Sequence, residues 1–189
     1  MNIPPFISAA MVLVATLHTT STVRGQLGVK TFRNSYIEFE IPAAWDCEQE
    51  GVAFVCQEAN RKTVDMTAIL AAKVVDPQRD TREVFASQLA QPKEWKDLSG
   101  GITVSSEVRS GTKCYDGKLW QWAHHYQSEL HNYYTDYFVR IEGGIAALVT
   151  VSYYRSVEAE GSAIAATIAR RLRMIVRPLD QDATSKTEC

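Results

Sequence analysis

Leu119-Trp-Gln-Trp-Ala-His-His-Tyr-Gln127, Tyr133-Tyr-Thr-Asp-Tyr-Phe-Val-Arg-Ile141 and Ile145-Ala-Ala-Leu-Val-Thr-Val-Ser-Tyr-Tyr154 decide the fold. All three runs are rich in β-branched and aromatic residues, which suit a pleated, half-buried surface. The breaks between them, near Glu129 to Asn132 and at Glu142-Gly143-Gly144, are short enough for hairpins. The three runs therefore predict a β-meander.

Upstream, Tyr36-Ile-Glu-Phe-Glu-Ile41 alternates strictly, with Ile37, Phe39 and Ile41 on one face, and reads as a half-buried strand that Pro42 ends. Met66 to Val75 is apolar enough for a central strand, although its alanines leave a helix open. Ile102 to Arg109 reads as a strand and Ser110-Gly111 as a turn. A first helix is predicted from Asp80 as N-cap, with Glu83 three residues on, an apolar stripe of Val84, Phe85 and Leu89, and Pro92 as the stop. A second helix follows Ser156, with Val157, Ile164, Ile168, Leu172 and Ile175 at helical spacing, and ends before Pro178. These elements predict an α+β fold, an antiparallel sheet of about six or seven strands with a C-terminal meander, its faces covered by helices. The expected organisation is a signal peptide over 1–25, a polar lead over 26–35, one α+β domain over 36–178 and a polar tail over 179–189.

The signal peptide rests on Ile7 to Leu17, an apolar run too short for the roughly 20 residues of a membrane-spanning helix but right for an h-region. Val23 and Gly25 fit the −3 and −1 positions, giving a mature start at Gln26 and leaving no stable membrane span after removal. The localisation expected is periplasmic or secreted. In a chain of 189 residues, 46% hydrophobic and 22% charged, what remains supports one domain with a real core. A formal charge of −2 excludes a bulk electrostatic case for nucleic acid.

The cysteines agree with export. Cys47 and Cys56 flank Glu-Gln-Glu-Gly-Val-Ala-Phe-Val, with Gly51 placed for a turn, so a hairpin brings them face to face for a disulfide. Eight intervening residues fit neither metal-knuckle nor redox spacing. Cys114 and Cys189 either form a second bridge or stay free; the sequence leaves both open.

The order of elements resembles the Mog1/PsbP-like α/β/α sandwich, especially its small exported bacterial members. The resemblance is carried by Phe39-Glu-Ile-Pro-Ala-Ala-Trp45, by Gly143-Gly144 with the Ile145 to Tyr154 strand, and by the Ser156 to Ile175 segment. It implies a largely non-enzymatic family whose members bind protein partners or steady complexes, with no active site to carry over. The Cys47/Cys56 hairpin is not a general mark of that family.

Strand periodicity puts Trp120, Trp122, His124 and Tyr126 on one face and His125 on the other, so the two histidines cannot share a metal without a bulge. A metal would need His131 or Asp136 and further ligands, and no H-E-x-x-H spacing occurs, so neither metal nor cofactor is expected. Trp120, Trp122, His124, Tyr126, Tyr133 and Tyr137 form the candidate interaction surface, against the plainer account of cross-strand aromatic packing. The expected function is an exported, non-catalytic domain that binds a protein partner or supports assembly of an envelope complex. The alternatives are a small-ligand carrier and a hydrolase with a site around Cys114, His124 and His125.

Overall fold

Strict alternation is realised at once in the first described strands. The computed structural model describes residues 28–59, 65–96, 100–175 and Cys189; the expected signal peptide and tail residues 179–188 lie outside them. β1 (Val29–Arg33) falls inside the stretch read as a polar lead and pairs antiparallel with β2 (Ile37–Pro42), Phe32 opposite Phe39. The lead is therefore structured, because β2 needs a partner for its backbone groups.

β3 (Trp45–Glu50) and β4 (Ala53–Glu58) form a hairpin around Gly51, whose φ of 60° is the left-handed conformation glycine adopts readily. Cys47 and Cys56 are cross-strand partners there and are bonded, with sulfurs 2.00 Å apart. Replacing both by Ser is expected to lower stability by about 2 kcal/mol, from the chain entropy so short a ring removes. Urea unfolding of the double variant measures it. Free thiols in the intact mass of non-reduced wild type would remove its basis.

β5 (Met66–Val74) leads to α1 (Arg82–Ala90). The cap of α1 is Thr81, whose side chain accepts from the Val84 N–H, and not Asp80. Asp80 instead accepts from the Asp76 N–H and faces the Lys73 ammonium at 2.8 Å, which holds its carboxyl below the usual range. β6 (Glu94–Lys96) and β7 (Ile102–Val104) make a small ribbon.

β8 (Ser106–Tyr115) runs straight through Ser110-Gly111, so the expected turn is not there. The chain reverses at Asp116-Gly117, with φ of 51° and 75°, before β9 (Lys118–Tyr126). Two successive positive φ values fit the twist of a two-residue hairpin, which Asp-Gly favours. β10 (Tyr133–Glu142) and β11 (Ile145–Tyr154) complete the meander across Gly143-Gly144.

A 3-10 turn (Arg155–Val157) precedes α2 (Glu158–Arg171), so Ser156 is not the cap, and Val157 at the cap position makes no side-chain bond. The helix also stops earlier than its periodicity suggests. After Leu172 the chain turns extended, and β12 (Arg173–Met174) pairs with the free side of β2. Hydrogen bonds with that exposed strand compete with another helical turn.

The main sheet has seven strands in the order β3-β4-β5-β11-β10-β9-β8, every neighbouring pair antiparallel. One face is covered by α2 and the β1-β2-β12 sheet, around Phe39, Phe54, Leu70, Phe138, Val151, Tyr153 and Ile168. The other face carries α1, whose Leu89 and Phe85 pack on Ala123, Tyr137 and Val139.

Candidate interaction surface

Residue alternation divides the six candidate aromatic and histidine positions between two faces. Trp120, Trp122, His124 and Tyr126 lie on the α2 side. Tyr137 pairs with Ala123 and so lies on the α1 side, as does Tyr133 four residues before it. The six do not make one surface. Trp120 is fully buried against Phe138, His124 is 2% exposed, and Tyr137 is buried with its hydroxyl hydrogen-bonded to Ser128 and Glu129. Trp122, Tyr126 and Tyr133 keep partial exposure, at separate places.

Beneath α2 lies a polar cluster built across three strands. Asp136 of β10 is opposite His124 of β9, and Tyr153 of β11 reaches the same carboxylate. Asp136 Oδ1 accepts from Trp122 Nε1 at 3.1 Å and from His124 Nδ1 at 3.0 Å, while Oδ2 accepts from the Tyr153 hydroxyl at 2.7 Å. A carboxylate is acceptor-only, so Nδ1 carries the histidine proton and Nε2 is left without a partner, 3.9 Å from Glu158. Burial, with the neighbouring Asp136 charge, pushes the Tyr153 phenol upward and keeps it a neutral donor. The cluster ties β9, β10 and β11 together beneath the start of α2. Among the described residues no group of three or more His, Cys, Asp or Glu could hold a metal ion.

His125 performs a different task on the α1 face. Its Nε2 meets the Leu89 carbonyl at 2.8 Å and its Nδ1 meets Ser105 Oγ at 3.1 Å, while Ser105 Oγ also accepts from the Lys93 N–H. One imidazole thus pins the end of α1 and the start of the next ribbon to the sheet. Cys114 is bonded to Cys189, the first of the two alternatives, and His124 and His125 point to opposite faces. Cys114, His124 and His125 are not brought together.

The neutral ring alone both donates to Leu89 and accepts from Ser105. Burial pushes the His125 pKa below its ordinary value, so the unfolded chain takes up this proton first, near pH 6.5. Its contribution to stability is therefore complete above about pH 6.5 and is lost as pH falls. The urea midpoint is expected to be lower near pH 5.5 than near pH 7.5, with a flatter slope in His125→Gln. Equal slopes in the two proteins would rule out His125 as the source.

The feature that sequence patterning did not single out is an uncovered half-sheet. α1 packs mainly on β8, β9 and β10. Beside it, on the same face, Ile69 of β5 is 40% exposed and Leu148 of β11 is 37% exposed. Val55 pairs with Ile69, and Ala53 and Leu148 flank Ala71, so these residues form one apolar stripe over β4, β5 and β11. The signal in the sequence is partial: on this face β5 reads Thr67, Ile69, Ala71, Lys73 and β11 reads Ala146, Leu148, Thr150, Ser152, apolar only in the middle.

No protein-family model matches the sequence, and no curated protein matches it either. Solved structures do. Cyanobacterial PsbP (CyanoP) from Synechocystis superposes with a TM-score of 0.55 at 11% identity, over 84% of this chain and 99% of that one. This chain has a Mog1/PsbP-like fold. A Bacteroides thetaiotaomicron protein aligns over 77% of this chain, with a TM-score of 0.47 and 11% identity, and the chain spans about half of that protein, 48%. The Ran-binding protein Mog1p of Saccharomyces cerevisiae aligns at 9% identity and a TM-score of 0.46, over 79% of this chain and 97% of its own. Within the Mog1/PsbP-like sandwich of this chain, α2 and the small sheet cover one face and the nine-residue α1 covers part of the other.

Proposed function

We propose that this chain is an exported, non-catalytic domain that binds a protein partner or supports assembly of an envelope complex. One observation carries the reading: beside α1 the sheet leaves Ile69 and Leu148 exposed, with Val55 half-buried next to Ile69. Contiguous exposed apolar surface marks an interaction site more often than scattered single residues do. The two disulfides favour an oxidising compartment, periplasmic or extracellular, consistent with the export signal expected over 1–25.

The experiment is affinity capture from native envelopes with the mature chain, alongside assays for ester and peptide hydrolysis. Stoichiometric recovery of a defined protein, reconstituted with purified components, is the expected result. Turnover of a test substrate with no partner recovered would overturn the proposal.

A further inference from the structure

Three features of the bare half-sheet together define what fits it. The first is width. Neighbouring strands lie about 4.8 Å apart, so the four strands from β3 to β11 span roughly 14 Å. An α-helix with its side chains is about 10–12 Å across, so one helix fits alongside α1. The second is the apolar stripe itself, with Val55, Ile69 and Leu148 at its centre. The third is charge. Register places Glu48 opposite Val55 and Glu50 opposite Ala53, so these carboxylates of β3 share the face and border the stripe. Both are exposed, and Asp46, next in the same row, is engaged with Lys30. Lys73, next after Ala71 on this face of β5, is paired with Asp80 and brings no net positive charge to the stripe.

We propose that this half-sheet is the docking site for an amphipathic helix of a partner protein, with an apolar stripe flanked on one side by Lys or Arg. The apolar stripe seats on Val55, Ile69, Ala71 and Leu148, and the basic flank lies over Glu48 and Glu50. The helix would complete the second helical layer that α1 only begins. Opposite charges along one border set the helix's orientation and its choice of partner more than its affinity. This inference rests on the partner-binding reading above and names its surface and chemistry.

The probe is a synthetic helical peptide of about five turns, with Leu on one face and Lys on the other. A Leu/Glu peptide of the same pattern is the comparison. Methyl NMR of the mature chain is expected to show Leu/Lys perturbations at Val55, Ile69 and Leu148, with the Leu/Glu peptide at least tenfold weaker. Ile69→Asp is expected to weaken Leu/Lys binding at least tenfold, and Glu48→Lys with Glu50→Lys to reverse the charge preference. Circular dichroism establishes that each variant is folded. Perturbations elsewhere, equal binding of both peptides, or self-association of the chain through this face would overturn the inference. Envelope capture separates the two readings. A partner recovered equally by wild type and Ile69→Asp leaves partner binding standing and removes this face from it. No partner recovered at all counts against both.

Discussion

Asp136→Ala is expected to lose about 4 kcal/mol of stability, because three buried donors lose their common acceptor. Three donors converge on this carboxylate from Trp122, His124 and Tyr153. Asp136 is 1% exposed, so water cannot simply replace it. Each donor left without an acceptor costs about 1–3 kcal/mol, less whatever relaxation recovers. Asp136→Asn retains the shape and one acceptor oxygen, and its loss is expected to be about half as large. Urea unfolding at neutral pH measures both. An alanine variant within about 1 kcal/mol of wild type would show that the cluster does not brace the three strands.

The second large effect is at Gly161, in the first half of α2. A Cβ added there would lie 2.1 Å from Tyr153 Cγ and 2.4 Å from Cδ1, far inside contact distance. Those are ring atoms near the backbone of a fully buried side chain, not the end of a flexible one. Alanine normally gains about 1 kcal/mol over glycine inside a helix. Here the steric term wins, because either α2 lifts off the sheet or Tyr153 leaves Asp136. Gly161→Ala is expected to cost about 3 kcal/mol net. That corresponds to a fall in Tm of roughly 6–12 °C for a domain of this size. Calorimetry decides it, and a Tm at or above wild type would contradict the contact. The two substitutions share Tyr153, so their effects should not add: the double variant is expected to lose less than the sum.

The parts legible in the sequence are those with a sustained period. Three long runs rich in β-branched and aromatic residues specify the meander, and the Mog1/PsbP-like fold follows from their order with the two helices. Short elements carry no period. The two residues of β12 continue the helical spacing of Leu172 and Ile175, and only the free side of β2 turns them into a strand. The turn lies at Asp116-Gly117 and not at Ser110-Gly111, because both residues of Asp-Gly take positive φ while Ser110 and Gly111 stay paired in the ladder. The six candidate aromatic and histidine positions fall on two faces, because alternation fixes faces within a strand but not between strands. Register alone puts Tyr137 opposite Ala123 and therefore away from His124. The bare half-sheet escaped for a related reason: the apolar residues were visible, but the extent of α1's cover is a tertiary fact.

The order of the main sheet also determines how two of these molecules can meet. Any open sheet presents an outermost strand at each end, where unpaired backbone groups can recruit another chain into a continuous ribbon. At one end stands β3, with exposed Asp46, Glu48 and Glu50 along a single side. At the other stands β8, bent by an irregularity between Ser106 and Arg109 and bridged to Cys189, whose N–H reaches the Gly117 carbonyl. Charge guards one margin, and a kink with a covalent strap guards the other. Growth of the sheet by lateral stacking is discouraged at both ends, and the surface left for a visitor is a flat one.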